Sequence, residues 1–461
     1  MAAPAPARPL APAADAPFDW APIEAEALAS FQTLIRFDTT NPPGNEKAAA
    51  EFVAGALRES GLEPKVLDSA PGRSNVVVRY KGDGSKPPLL LNAHLDVVEA
   101  EPSTWKHPPF GGEIHDGYVW GRGAVDMKHM AAMSTAVMKL LAGTKAKLKR
   151  DVIFTAVADE EAGSRYGAEY LVAEHRDLVQ CEYALGEIGG FSLHLNGVSY
   201  YPIQVAQKGT VWGRLKVKGE PGHGSMPRPD SAVLKLGELI SRLGSARFPF
   251  HASESVNDMI EALAKEQKFP LSVVLRAVTN PAFSKLVLKL FPNPGTARAF
   301  AALLSNTATP TVVRAGNKTN VIPGFGTVEF DGRTAPGQTQ EDLLRELREV
   351  VGPEAEIEVM DSTPPVATTK DTELYRSLGE TIRRADPNGI PIPYVIPGFT
   401  DARAFDKLGA KYYGFAPIRF DPTHDVAFAE MYHGNNERCP VDGFHWGLRT
   451  LYDAVTTFCS Q

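Results

Sequence analysis

Two histidines and a set of acids stand at the ends of apolar runs. LLLNAHLDVV (89–98) reads as a buried strand, and it closes by placing His94 and Asp96 two positions apart. Residues i and i+2 on a strand share a face. Asp96 is therefore placed to orient the His94 ring and fix its tautomer, like the carboxylate found behind a metal-ligating imidazole. GYVWGRGAVDMK (117–128) brings Asp126 out of a Gly-rich turn at the head of a helix. ADEEAG (158–163) ends a second apolar run with adjacent acids, Glu160 and Glu161, and ALGEIGG (184–190) ends a third with Glu187. YHGNNERCP (432–440) presents His433 before the last helix. Taken singly, each is an ordinary cap, turn residue or solvated acid. Together they supply two histidines, several carboxylates and no thiolate. Acids gathered in one cleft repel one another and need a cation. Imidazole with carboxylate suits zinc, with manganese or cobalt as substitutes.

The elements that must hold these residues follow from periodicity. Helical spacing covers 23–36 and 45–61, and strand-like runs occupy 75–80, 88–98 and 151–161. Helices at 127–142 and 166–175 alternate with them, ahead of a further run at 183–188. This alternation predicts an α/β fold with a largely parallel sheet covered by helices on both faces. In such sheets ligands bind beyond the carboxyl ends of the strands, where His94, Asp96, Glu160, Glu161 and Glu187 fall. From 204 the pattern changes. VAQKGTVWGRLKVKG alternates like one half-exposed strand. A helix at 231–243, strands at 310–315 and 325–331, a helix at 340–351 and AEIEVM (355–360) follow, predicting a small α+β domain inserted in the first. The expected division is an Ala/Pro-rich tail at 1–20, a first catalytic part at 21–203, an insertion at 204–365 and a second catalytic part at 366–461. Apolar blocks broken by prolines at 250–305 read as short helices within the insertion.

Composition narrows the function. The 461 residues are 43% hydrophobic and 22% charged, with net charge −7 from 48 Lys+Arg against 55 Asp+Glu. With no basic block, nucleic acid and anionic membranes are not expected partners. No apolar run approaches the roughly 18 residues of a membrane span. Cys181, Cys439 and Cys459 are too scattered for a disulfide framework. The opening MAAPAPARPLAPAADAP lacks the charged start and apolar core of an export signal. That makes the cytoplasm the default, with a periplasmic or secreted product of signal removal left open.

The ordered motifs HLD, GRGxxDMK, DEE, a strand-end Glu and a histidine before the C-terminal helix resemble the co-catalytic di-zinc metallopeptidases. That family includes glutamate carboxypeptidase, succinyl-diaminopimelate desuccinylase, acetylornithine deacetylase and aminoacylase. The resemblance runs from about 25 to 458. It implies a metal-binding α/β domain interrupted by a lid or dimerisation domain, and two zinc ions per chain. By position it implies Asp126 as the carboxylate bridging both ions, His94 and Glu187 completing one site, and Glu161 and His433 the other. Glu160 is then the general base, a division with its own logic: one acid neutralises metal charge while its neighbour stays free to take a proton. GEPGHGSMP (219–227) resembles the segment whose histidine, here His223, steadies the oxyanion in a partner subunit. KTNVIPG (318–324), DGRTAPG (331–337) and PGFTDARAF (397–405) resemble substrate-contacting segments and point to Asn320, Arg333 and Thr400. An arginine fork suits a carboxylate.

Where members of the family often have two glycines after DMK, this chain has His129 and Met130, and the helical position of His129 predicts packing rather than ligation. His107, His115 and His424 match no motif. The expected activity is hydrolysis, or in reverse formation, of an amide next to a free carboxylate. The substrate is an N-acyl amino acid with an apolar acyl group, or a peptide in a carboxypeptidase reaction. A metallo-dipeptidase is the alternative, and a non-catalytic binding relative the alternative of another class. The latter should have lost a ligand or the base, and this sequence has all of them.

Overall fold

The computed structural model describes residues 18–291, 294–422 and 431–461, so His424 lies outside the described residues. The chain packs as two compact units, one of Met1–Gln204, Thr368–Ile392 and Thr400–Gln461, the other of Val205–Ala367 and Pro393–Phe399.

The first unit is built on a mixed sheet. Its strands run Lys65–Ala70, Arg73–Tyr80, Arg150–Val157, Lys86–His94, Tyr183–Gly186, Lys411–Gly414 and Val198–Gln207 in spatial order. The central pairings, from Arg150–Val157 across to Lys411–Gly414, are parallel, and the pairings flanking them are antiparallel. Leu89–His94 is buried without interruption, as the continuous apolar run requires for a central strand. The helices Trp20–Arg36, Lys128–Thr144 and Val441–Ser460 pack together, and the first starts on an Asp19 side chain that accepts the Ala21 N–H. Residue register sets the chemistry: His94 lies beside Val157, and Leu91 beside Leu185. The turn after Val157 and the residues after Gly186 therefore emerge at the same end of the sheet as His94.

Two differences from the periodicity change how residues are placed. The strand carrying His94 stops there, so Asp96 lies beyond it. The run expected as one strand from 205 is two, Val198–Gln207 and Gly209–Lys218, broken at Lys208.

The second unit has an antiparallel sheet in the order Thr307–Ala315, Phe325–Thr334, Gly209–Lys218, Glu356–Thr363. Its inward residues, among them Leu215, Val217, Val328 and Phe330, form one core with Leu236, Leu239 and Leu347 of the helices Ala232–Ser245 and Gln340–Val351. Thr339 and Asp342 cap the latter helix reciprocally. The stretch 250–305 forms the helices Glu254–Lys265, Leu271–Val278, Ser284–Lys289 and Pro294–Leu303. Among the described residues no helix is long and apolar enough to cross a membrane.

Lys208 sits at the break between the two strands and is 1% exposed. Its Nζ donates to the carbonyls of Ala302 (2.7 Å) and Ser305 (2.8 Å), tying the helical stretch to the sheet. Burial, helped by the nearby Arg333 charge, pushes its pKa down to about 7, whereas an unfolded lysine titrates near about 10.4. Between these values the unfolded chain binds the extra proton, so stability rises with pH across this window. A neutral amine still has two N–H donors for the two carbonyls. We expect wild type to gain stability relative to Lys208→Met between pH 7 and pH 10, by up to about 1.4 kcal/mol per pH unit. Parallel urea titrations of the two proteins measure this, and coincident pH profiles would show that Lys208 stays charged.

Candidate active site

His94, Asp96, Asp126, Glu160, Glu161, Glu187 and His433 are brought together at the carboxyl end of the first unit's sheet. They come from five places in the chain: His94 with Asp96, Asp126, Glu160 with Glu161, Glu187, and His433. Asp126 follows the turn Gly121–Val125, where Gly123 has φ +88 and a side chain would meet Val97 at 2.9 Å. Asp159 adopts left-handed backbone (φ 70) and turns the chain so that Glu160 and Glu161 follow. His433 is also left-handed (φ 54), with its side chain 58% exposed, in contrast to the buried His94, Asp126, Glu160 and Glu187.

Asp126 stands between the two histidines. Its Oδ1 is 3.1 Å from His94 Nε2, and its Oδ2 is 3.3 Å from His433 Nε2. Glu187 Oε2 lies 3.8 Å from His94 Nε2, and Glu161 Oε2 lies 3.1 Å from His433 Nε2. Two trios, His94–Asp126–Glu161 and His94–Glu160–Glu187, each offer donor atoms within 4.8 Å of one another.

Asp96 has a wider task than orienting the ring. The nearer partner of His94 Nδ1 is the Asp96 backbone carbonyl at 2.9 Å; the carboxylate Oδ1 is at 3.6 Å. An Nδ1–H donated there leaves Nε2 as the lone-pair nitrogen facing Asp126 and Glu187. The Asp96 carboxylate accepts the backbone N–H groups of Glu160 and Glu161, both at 3.1 Å, and so holds the turn that presents them.

The electrostatics are those of crowded acids. Burial, then the charges of Glu187 and Glu161, raises the Glu160 pKa well above the ordinary carboxylate range. Burial raises Glu187 to about 8. Hydrogen bonds to Asp126 and Glu161 raise His433 to about 10. For His94 burial opposes the charged ring, but bonds to Asp126, Asp96 and Glu187 outweigh it and hold the pKa well above 6.5. Glu160 Oε1 and Glu187 Oε1 are buried with no hydrogen-bond partner among the described residues. Buried carboxylate oxygens without a donor are costly. A divalent cation among these oxygens and two imidazole nitrogens would satisfy them, so the donor set fits metal.

Residues without a motif of their own complete the frame. Glu437 is buried and accepts the N–H groups of Gly123 (3.0 Å), Val125 (2.6 Å) and Asp126 (3.0 Å) and the Arg122 guanidinium (2.9 Å). It thereby fixes the turn carrying Asp126. It sits four residues after His433, inside a quoted motif, but nothing local signals its partners. Asn41 donates to Asp96 (2.8 Å) and Asp159 (3.0 Å), and Arg73 joins Glu46 to Asp159. Breaking a buried network of that kind by removing one partner costs about 3–5 kcal/mol. Asp401 accepts from Ser164 (2.5 Å) and Asn92 (2.8 Å).

The other expected residues divide between the two units. Thr400 belongs to the first unit but is fully buried, and its hydroxyl accepts the Ala402 N–H at the start of the helix Ala402–Asp406. His223, Asn320 and Arg333 belong to the second unit. His223 and Asn320 are exposed, and the Gly224 N–H donates to the Asn320 carbonyl. Arg333 gives Nε and Nη2 to its neighbour Asp331 (2.8 and 3.0 Å), while its Nη1 is buried without a partner among the described residues. His129 is buried in its helix and outside both trios, and burial drives its pKa down to about 3. His107 and His115 stack on each other, ring centroids 3.8 Å apart.

Comparison with known proteins identifies the family and the fold. The model of "Peptidase family M20/M25/M40" matches residues 90–457. Human N-fatty-acyl-amino acid synthase/hydrolase PM20D1 is 30% identical over 93% of this chain and 86% of its own. Human aminoacylase-1 is 25% identical over 90% of this chain and 91% of its own. The M20 family metallo-carboxypeptidase Sso-CP2 from Sulfolobus solfataricus shares the fold, with a TM-score of 0.70 at 18% identity over 94% of this chain and 98% of that one. The chain therefore belongs to peptidase family M20/M25/M40, and with it to the metal-dependent amidohydrolases its ordered motifs resemble.

Proposed function

We propose that this chain is a two-metal hydrolase of amides adjoining a free carboxylate, acting on N-acyl amino acids with an apolar acyl group. The observation that carries the metal centre is Asp126, whose two oxygens face two different histidines, each accompanied by its own glutamate. His94 and Glu187 would hold one ion, Glu161 and His433 the other, with Asp126 shared. Zinc suits the set, and manganese or cobalt would substitute. Such ions, when bound, supply Lewis acidity and a more acidic water.

The chain's residues supply the rest. Glu160 has a free oxygen and a pKa raised well above the ordinary carboxylate range by burial. It takes a proton from the attacking water and gives it to the leaving nitrogen. Asp96 holds Glu160 in place through its backbone N–H. The unpartnered Nη1 of Arg333 offers a donor to the substrate carboxylate, and Asn320 would supply a further substrate contact. Two similarities support the substrate class: the relative named for N-fatty-acyl amino acids matches nearly the whole chain, and the second unit carries an apolar helical stretch. The protein would work as a homodimer through the second unit, whose surface exposes Val233, Leu234, Val313, Val321 and Phe325.

A substrate panel with metal-reconstituted protein tests the reading. It comprises N-acyl amino acids from acetyl to oleoyl, their carboxyl-amidated analogues, and dipeptides. We expect two ions per chain at full activity, no turnover of the amidated analogues, and rates that climb with acyl length. Full activity at one ion per chain, or in chelated protein, removes the two-metal mechanism. Preference for acetyl groups or for dipeptides removes the apolar acyl substrate.

A further inference from the structure

In the second unit the helical stretch and the run 246–250 line an open cavity of about 770 Å³, within the roughly 300–1,000 Å³ usual for small-molecule sites. Its wall is apolar, contributed by residues such as Phe248, Phe250, Leu288, Ala297 and Ala301. Polar groups at the floor are already satisfied. The Ala302 and Ser305 carbonyls take the Lys208 Nζ donors, and the Asn306 side chain bonds Glu346 (2.9 Å) and the Ala335 N–H (2.9 Å). Glu346, the acid behind the floor, is also bonded to His251 at 2.5 Å. A hydrocarbon entering this cavity would break no hydrogen bond.

The charged residues of the lining are of one sign. Arg247, Lys285, Lys289 and Arg298 border the cavity, no acid does, and none of the four has an ion pair among the described residues. Lys285 and Lys289 stand four apart on the helix Ser284–Lys289, where like charges destabilise a helix. An anion at the rim relieves that repulsion. Thr307, also in the lining, is the cross-strand partner of Arg333, so the floor adjoins the strand that carries the proposed carboxylate anchor.

We propose that this cavity holds the hydrocarbon of a long-chain carboxylate, with the rim cations receiving its anionic head. Two molecules share that chemistry, a free fatty acid and an N-fatty-acyl amino acid. For the second, the proposal rests on the function proposed above and concerns binding apart from the catalytic pose, in which Arg333 takes the carboxylate.

The test is a fluorescence titration of the full chain with cis-parinaric acid below its micelle concentration, followed by displacement. We expect one saturable site from which oleate displaces the probe at least tenfold better than oleyl alcohol or octanoate, since each buried methylene is worth roughly fourfold in affinity. Ala301→Trp, which fills the cavity, and the exposed double change Lys285→Glu with Lys289→Glu should each weaken binding tenfold or more. Circular dichroism and metal content unchanged from wild type verify their folding. Displacement by N-oleoylglycine as well as oleate assigns the site to both sources, and displacement by one alone assigns it to that one. Absence of a saturable site, equal displacement by oleyl alcohol, or wild-type affinity in both variants overturns the proposal. Saturable binding without any hydrolysis of N-acyl amino acids would instead remove the proposed function and leave the cavity site standing.

Discussion

Glu160→Gln should keep both metals and lose turnover by roughly 10²–10⁴-fold, the contribution of a general base. Its neighbour sets the contrast. Glu161 presents Oε2 to His433 at 3.1 Å and faces Asp126, so its charge is engaged at the proposed metal position. Glu160 has no histidine within ion-pair range among the described residues, and its Oε1 has no donor. Burial and the adjacent Glu187 charge raise its proton affinity, which matches a base that must hold a proton briefly and release it to an amine. The amide of glutamine keeps the size and removes the basicity. Glu161→Gln should weaken metal retention, and activity should return in part with excess metal. Metal analysis after dialysis, alongside kcat on an N-acyl amino acid, separates the two. The crowding of Glu160 with His94 and Glu187 gives a definite way to fail. If Glu160→Gln loses metal and Glu161→Gln does not, Glu160 is a ligand and the base is elsewhere.

The parts of this site that announce themselves in sequence are those at the ends of regular elements. Apolar runs of strand length place His94 and Glu187 at strand tips because a central parallel strand has no choice but to be apolar throughout. The Gly-rich turn before Asp126 and the DEE after a strand are legible for the same reason. The frame around them is not. Glu437 is 311 residues from Asp126, and Asn41 is 55 from Asp96. Their roles depend on which loop the fold brings to which, and a polar residue in a loop carries no periodic signal. Asp96 shows the limit in the other direction: its spacing from His94 suggested one function, yet the strand ends at His94 and the carboxylate spans a turn 64 residues away. At Lys208 alternation ran unbroken through what is a break between two strands, because a lysine on the polar phase of a strand looks the same as one buried on backbone carbonyls.

His223→Ala should reduce turnover by roughly 10²–10³-fold, the effect of deleting one oxyanion donor, while leaving metal content and folding unchanged. His223 lies in the two-residue strand Gly222–His223, which pairs with Val321–Ile322 in the second unit. The Ser225 N–H donates to its Nδ1 at 3.2 Å. Ser225 Oγ also lies 2.8 Å from Nδ1; in the tautomer in which both Ser225 groups donate there, the ring proton sits on Nε2 and is free to face an oxyanion. The side chain is exposed, as are Met226, Val321 and Phe325 nearby in sequence and sheet. The strand Thr307–Ala315 also forms an edge of its sheet among the described residues, and open edges tend to be covered by another chain. These features suit the proposed homodimer, in which His223 would be delivered to the partner's active site. Mixing tests it. Glu160→Gln and His223→Ala chains are each nearly inactive, but if each site borrows its partner's histidine, a mixed dimer has one site with both Glu160 and an intact His223. After verified subunit exchange, activity should recover toward a quarter of wild type, because half the dimers are mixed and one site in each is complete. If exchange is verified and the mixture stays as inactive as its components, His223 serves its own chain or has no part in the reaction.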